Sequence, residues 1–195
     1  IASARGKAPV QTLILSGVVV GTFFSALVLL LMAVHHRDAH RILFFLMGSL
    51  QESDFNLIGI SGIIVTAGMA GGLLFSRDLN IIAQGEETAI HLGIDVEKVK
   101  KFLFACASLI VGGVVAVSGL IGFVGLIIPH LVRLIVGPDH RILIPASALS
   151  GAIFLIIADG LSRTVISPSE LPVGVITALC GAPFFVYLLR QKKRI

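Results

Sequence analysis

Charged side chains are scarce in this sequence. Of its 195 residues, 13% are Asp, Glu, Lys or Arg, whereas 56% are hydrophobic, and the mean hydropathy is +1.02. One soluble core of this size cannot bury so many apolar side chains, so the composition excludes a soluble domain and is typical of a chain in a lipid bilayer. The net charge of +4 is spread over connecting segments, which argues against a face that binds nucleic acid.

Cysteine-based motifs and nucleotide-binding motifs are also lacking. The two cysteines, Cys106 and Cys180, both lie in apolar runs, so we expect neither a disulfide framework nor a zinc cluster. The histidine-rich segment 35–40 contains a single acidic residue and is interpreted as a solvated loop. No Gly-x-x-x-x-Gly-Lys-Ser/Thr phosphate loop is present. We therefore predict no metal, no cofactor and no ATP site of that type in this chain.

Long uncharged runs predict the helices that cross the membrane. Residues 10–34 would extend about 37 Å as a helix, against about 30 Å of hydrocarbon. The apolar run 102–137 is too long for one straight helix, and its glycine-rich part at 118–122 predicts a turn between a third crossing and a short fourth. Segment 42–50 is too short to cross and fits an interfacial helix. The remaining predicted crossings are 55–76, 142–162 and 172–189.

Six crossings would place both ends of the chain on one side, and the basic residues support this arrangement. Lys and Arg collect in cytoplasmic segments of membrane proteins. Twelve of the 15 basic residues fall on the side assigned to the cytoplasm, and three fall on the other side. The twelve are Arg5, Lys7, Arg77, Lys98, Lys100, Lys101, Arg133, Arg141, Arg190, Lys192, Lys193 and Arg194, and the three are Arg37, Arg41 and Arg163.

The longest polar connection, residues 77–101, is predicted to lie on the cytoplasmic side. Glu86 and Glu87 follow Gly85 and suit a helix N-terminus, while Gly93 is placed to end that helix after Leu92. A second short helix is expected to begin at residue 96 and lead into the next crossing. The pattern indicates a compact segment rather than a flexible connector.

Polar residues near the ends of the later crossings allow two interpretations. Arg163 follows Asp159 by four positions, which predicts an ion pair within one helix, and it also fits a basic point that meets an acidic partner outside the membrane. His130 and Arg133 lie one turn apart, where a structural role is favoured over a polar pathway because Arg can extend to the interface. For Arg163, charge alone does not choose between the ion pair and the docking role.

An enzyme is a further alternative. Gly59-Ile60-Ser61-Gly62 has the Gly-x-Ser-Gly form of rhomboid-type intramembrane serine proteases, and His130 could act as the base. So short a match arises readily in helices rich in small residues, such as those that recur at Gly68 and Gly72 and allow close helix packing. A secondary transporter that works without nucleotide also stays open.

Four longer motifs carry a resemblance to a known family. They are GEETAIHLGIDVEKVK (85–100), IGFVGLIIPHLVRLIVGPDHR (121–141), ADGLSR (158–163) and ELPVGVITALCGAPFFVYLLR (170–190). In this order and spacing, the chain resembles the permeases of ABC importers for iron-siderophore, haem and cobalamin. Leu120 departs from the family, which often has Pro there, so the turn before residue 121 is left open.

The resemblance implies an all-α, polytopic membrane helix bundle, in which residues 1–195 form one permease domain equivalent to the C-terminal six of ten helices. It implies a homodimer in the cytoplasmic membrane of a prokaryote, with a separate ATP-binding cassette subunit and an extracytoplasmic substrate-binding protein as partners. It assigns Arg163 to docking of the binding protein, and leaves open which chelate or corrinoid is carried. The residues it assigns to contact with the ATPase are Gly85, Glu86, Glu87, Thr88, Leu92 and Gly93.

Overall fold

Helices are the one kind of regular element in the part of the chain that the structure describes. The structure is a computed structural model, and the residues described are 10–34, 39–50, 54–165 and 171–192. Within these ranges the predicted all-helical fold is confirmed. The helices are α1 (Val10–Val34), α2 (Ala39–Met47), α3 (Phe55–Leu74), α4 (Ser76–Ile82), α5 (Glu86–His91), α6 (Val96–Ser118), α7 (Val124–Val136), α8 (His140–Thr164) and α9 (Val173–Lys192).

Four of these helices are long and apolar enough to cross a membrane, namely α1, α3, α6 and α8. Helix α7 and residues 173–186 of α9 are apolar but shorter. At 13 residues, α7 extends only about 20 Å, which agrees with the prediction of a short fourth crossing. Helix α2 has nine residues, as expected for an interfacial helix, although it begins and ends three residues earlier than predicted. The total of six crossings stays a prediction.

The chain divides into two compact units, residues 1–44 and 45–195. Helix α1 belongs to the first unit and forms a continuous apolar helix of 25 residues. Helices α3 to α9 belong to the second unit, in which α3 packs against α6, α7 against α8, and α9 against both α7 and α8. A small core of Ile128, Val132 and Leu143 fills the contact between α7 and α8.

Three of the long helices begin at an aspartate. Its carboxylate accepts a hydrogen bond from a backbone N–H two or three residues further along, which satisfies a donor that the first helical turn leaves unpaired. These bonds therefore set where α3, α6 and α8 start. The pairs are Asn56 N to Asp54 at 3.0 Å, Lys98 N to Asp95 at 3.1 Å and Arg141 N to Asp139 at 3.0 Å.

Small residues let α3 approach α6 closely, which confirms the prediction for Gly68 but not for Gly72. A Cβ built at Gly68 would stand 2.5 Å from the side chain of Ile110 in α6, and one at Gly71 would stand 3.1 Å from Cys106 Sγ. Gly72 instead turns toward α8, where an added Cβ would make an ordinary contact at 3.8 Å. Backbones packed this closely gain dispersion contacts that larger side chains would prevent.

The turn between α6 and α7 lies where the glycine-rich run predicts it, from residue 119 to residue 123. It starts at Gly119 with φ +68° and ends at Phe123, whose φ of +66° is uncommon for a residue other than glycine. The end of α2 packs against this turn, since Ser49 N donates to Ser118 O at 3.0 Å. This turn, the end of α2 and the start of α9 meet at one end of the second unit.

Gly174 at the start of α9 is held against the end of α2. A Cβ built there would overlap the carbonyl oxygen of Met47, which belongs to the backbone and cannot swing aside as a side chain could. We expect Gly174→Ala to lower the free energy of unfolding by about 1–3 kcal/mol through overpacking. Gly72→Ala is the matched control, because its Cβ would fit at 3.8 Å from Ile144. Thermal unfolding in detergent measures both, and equal midpoints would contradict the close approach.

Candidate functional site

The connection between α3 and α6 forms a compact structure, here called the α4–α5 segment (residues 76–95). The predicted helix after Gly85 is confirmed as α5, Glu86–His91. The helix predicted to begin at residue 96 does begin there, but it is not a separate short helix, because it continues as the 23-residue helix α6. The second short helix is instead α4, which precedes Gly85 and which the sequence analysis placed in a polar connection.

Helix α5 ends in a motif that requires glycine at residue 93. Gly93 has φ +83°, its N–H donates to Ile90 O at 2.9 Å, and Ile94 N–H donates to Ala89 O at 3.0 Å. These two bonds are those of a Schellman motif, in which a residue with positive φ follows the helix and satisfies its last carbonyl groups. The predicted role of Gly93 in ending the helix is confirmed.

The residues predicted to contact the ATPase are accessible along α5. Glu86, Glu87, Thr88 and Leu92 are exposed, whereas Ala89 is completely buried and anchors the helix to the rest of the segment. Leu92 is 65% exposed, and Ile90, which the sequence analysis did not single out, is 58% exposed. The surface of α5 therefore combines acidic side chains with two exposed apolar ones.

Ion pairs flank α5 on the side of α6. Lys100 in α6 donates to a carboxylate oxygen of Glu86 at 2.5 Å, so Glu86 faces a basic neighbour rather than solvent alone. Asp95 pairs with Lys98 at 2.8 Å. The hydrogen bond from the Lys98 side chain, followed by that from the Lys98 backbone N–H, lowers the pKa of Asp95 below its ordinary value and keeps this helix cap ionised.

A polar cluster joins α4 to the start of α8. Asn80 donates through Nδ2 to Asp139 Oδ1 at 2.6 Å, and its Oδ1 accepts from His140 N at 2.9 Å. The Arg141 backbone N–H, and then the Asn80 amide, lower the pKa of Asp139. The segments 77–101 and 133–141, which the charge count assigns to one side, thus meet at one end of the second unit. The sequence does not single out Asn80, since one polar residue in a polar connection carries no distinctive signal.

Arg163 lies near the opposite end of α8 from this cluster. Its Nε donates to Asp159 Oδ2 at 2.9 Å and its Nη2 to Asp159 Oδ1 at 3.3 Å, which confirms the predicted ion pair within the helix. The Arg163 side chain is 43% exposed. Nearby, Leu171 N donates to Ser162 O at 3.1 Å and ties the approach to α9 to α8. A role for Arg163 in docking stays a prediction.

The groups proposed for serine protease chemistry have other neighbours. The Ser61 hydroxyl donates to Ile58 O of its own helix at 3.0 Å. The His130 ring stands edge to face with Phe184, with 6.4 Å between ring centroids. Ser61 belongs to α3, which packs on α6 and α8, whereas His130 belongs to α7, which packs on α8 and α9. This arrangement offers no support for a Ser–His pair.

The predictions on metal binding and on the histidine-rich segment 35–40 concern residues that are described only in part. Among the described residues, no group of three or more His, Cys, Asp or Glu side chains could hold a metal ion. His35, His36 and Arg37 lie outside the described residues, and so do the side chains of His40 and Arg41.

The apolar helices, the compact α4–α5 segment at one end and the ion-paired arginine at the other define a multi-pass helical membrane protein. Residues 1–191 match the FecCD transport family. The chain belongs to this family, as the resemblance implies.

Named relatives and a solved structure agree with this assignment. The chain is 45% identical over 193 residues to the cobalamin import system permease protein BtuC of Halobacterium salinarum, covering 99% of this chain and 52% of that protein. It is 37% identical to the hemin transport system permease protein HmuU of Yersinia pestis, covering 98% and 58%. It therefore spans about half the length of the curated relatives it matches. A chain from an inward-facing ABC transporter described as of metal-chelate type superposes with a TM-score of 0.84 at 34% identity, covering 93% of this chain and 59% of that one.

The Schellman motif at Gly93 yields a test of local structure. In Gly93→Ala, a Cβ in the left-handed region costs about 1–2 kcal/mol, so the Ile94 amide should exchange roughly tenfold faster with deuterium. Gly93→Asn is the matched control, because Asn tolerates this conformation better, and it should exchange at a rate closer to the native one. Hydrogen exchange with mass spectrometry measures all three proteins, and unchanged exchange in Gly93→Ala would contradict the motif.

Proposed function

We propose that this chain is a transmembrane permease subunit of a binding-protein-dependent ABC importer. The proposed cargo is an iron chelate such as a siderophore complex, haem, or cobalamin, and the proposed location is the cytoplasmic membrane of a prokaryote. A second permease copy completes the pathway, and a separate ATP-binding cassette subunit hydrolyses ATP. Membership of the FecCD transport family and the functions named for its relatives support this proposal.

The observation that carries the proposal is the construction of the α4–α5 segment. A flexible linker would not need a buried anchor, a glycine-dependent helix end and an ion pair to α6, all of which this segment has. These contacts hold α5 in a defined orientation while its acidic and apolar side chains stay accessible. Such a surface suits a protein partner, because apolar side chains contribute binding energy and charged ones fix the orientation of the partner.

In the proposed mechanism, closure of the ATPase pair displaces the α4–α5 segment as one body. Gly85, Glu86, Glu87, Thr88, Leu92 and Gly93 provide the contact or its geometry. Helix α6 follows this segment directly in the chain. Displacement of the segment therefore changes the packing of α6 against α3. The permease then alternates between two packed arrangements, one open to each side of the membrane.

We assign Arg163 to docking of the substrate-binding protein. Asp159 holds the guanidinium through two hydrogen bonds, which limits its rotamers and fixes the position of the positive charge. An acidic side chain on the binding protein would provide the complementary charge. On this proposal, cargo choice rests with the binding protein, and the permease supplies the passage.

Reversal of charge at Glu87 tests the ATPase contact. Glu87→Lys should reduce uptake of the cargo in proteoliposomes by about tenfold or more, because a charge mismatch at an interface costs several kcal/mol. Membrane insertion should be unchanged, since Glu87 is exposed and lies outside the long apolar helices.

Glu97→Lys is the matched control for this test. It makes the same change of charge in the first turn of α6, at another exposed glutamate beyond the end of α5. Uptake should stay near the native level in the control. Equal uptake by Glu87→Lys and the native permease would contradict the assignment of α5 to ATPase coupling.

The orientation of the segment is tested by cysteine labelling. In a variant lacking Cys106 and Cys180, we expect Thr88→Cys in intact cells to resist a membrane-impermeant thiol reagent and to react after lysis. Val165→Cys, exposed just beyond the opposite end of α8, should react in intact cells. The difference follows from the cytoplasmic preference of Lys and Arg. Modification of Thr88→Cys in intact cells would show that the predicted topology is inverted.

A further inference from the structure

Asn80 connects the α4–α5 segment to α8 through both ends of its amide. The NH₂ group donates to Asp139 Oδ1 at 2.6 Å. The amide oxygen lies 2.9 Å from the backbone nitrogen of His140 and 2.7 Å from Nδ1 of the same residue. An amide held by three contacts, one of them to backbone, has little freedom to rotate, so Asn80 connects its helix directly to the backbone at the start of α8.

Asp139 shares this contact with its role as the cap of α8. The Oδ1 atom that accepts from Asn80 also accepts from Arg141 N at 3.0 Å. A displacement of Asn80 therefore acts on the atom that fixes the first turn of α8. If the contact opened, the Asn80 amide and the Asp139 carboxylate would each lose a partner in a partly buried site, which costs free energy.

Helix α4 is in turn closely tied to α5. Gln84 N donates to Ile81 O at 3.0 Å and Gly85 N to Ile82 O at 3.1 Å, so a tight turn joins the two short helices. Near its other end, the 25-residue helix α8 carries Arg163, about 35 Å along the helix from the Asn80 contact at His140. The structure thus contains a continuous mechanical connection from α5 through α4 and Asn80 to α8.

We propose that Asn80 is a positioning residue that transmits displacement of the α4–α5 segment to α8, and so links the ATPase contact to the binding-protein contact at Arg163. This inference rests on the proposed function. It differs from the direct route into α6, because α6 is covalently continuous with the segment, whereas α8 is reached through side-chain hydrogen bonds. Removal of those bonds should interrupt the α8 route and leave the α6 route connected.

The test uses the permease reconstituted in proteoliposomes with its ATP-binding cassette and substrate-binding partners. In Asn80→Ala, assembly with the ATPase and basal ATP hydrolysis should stay at native levels, because α5 is unchanged. Stimulation of hydrolysis by the loaded binding protein should fall by about tenfold, as expected for loss of one coupling interaction within the usual range of coupling free energies. Gln84→Ala is the matched control, since the Gln84 side chain donates to Asn80 O within the same segment, and it should keep stimulation.

A reciprocal exchange separates transmission from a merely structural role. Asn80→Asp places two carboxylates in contact and should lose stimulation, because like charges repel. Combined with Asp139→Asn, it restores a donor–acceptor pair in the opposite direction and keeps a good helix cap, so stimulation should recover. Recovery in the double variant supports the proposal, and failure to recover with assembly intact overturns it.

The remaining outcomes are equally decisive. Native stimulation in Asn80→Ala would show that α8 is driven by another route. Loss of ATPase assembly in Asn80→Ala would show that Asn80 holds the segment together rather than transmitting its motion. Both results overturn this inference but leave the proposed function standing, whereas failure of the native permease to assemble with any ATP-binding cassette subunit would remove the proposed function itself.

Discussion

The structure depends on the need to pair backbone N–H and C=O groups where no water is available. In the hydrocarbon of a bilayer, an unpaired backbone group costs several kcal/mol, and a helix avoids this cost by pairing all of them internally except at its ends. The ends are therefore where polar residues become necessary. In this chain, aspartates cap the first turns of α3, α6 and α8. Glycines with positive φ follow α6 and α7 and let the chain turn there.

This constraint also concentrates the chemistry of the protein at the two ends of its helices. At one end, the α4–α5 segment, the cap of α6 and the cap of α8 lie together, and Asn80 joins two of them. At the other end, α8 carries Arg163, and the start of α9 packs against the end of α2. Between the ends, apolar helices packed through glycines offer few polar groups. On the proposed function, these helices transfer displacement rather than bind cargo specifically.

Much of the fold could be predicted, because the relevant physics acts over short stretches of sequence. Length and apolarity locate α1, α3, α6 and α8, and the glycines near residue 120 locate the turn before α7. The helix after Gly85 and its end at Gly93 follow from local rules of helix capping. The sequence does not predict α4, because residues 76–82 include polar side chains and are equally compatible with a loop. Its helical form depends on the packing of α4 against α5 and α8, which no local pattern encodes.

The sequence by itself determined the class of protein, the approximate helix ends and the segment that carries the acidic glutamates, since each follows from hydrophobicity, charge or glycine within a few neighbouring residues. Only the tertiary structure decided that Asn80 meets Asp139 and His140, 59 and 60 positions away, and that Gly174 meets Met47. Contacts between distant residues depend on how whole helices pack. A single polar residue or glycine looks the same in the sequence whether it faces lipid, water or another helix.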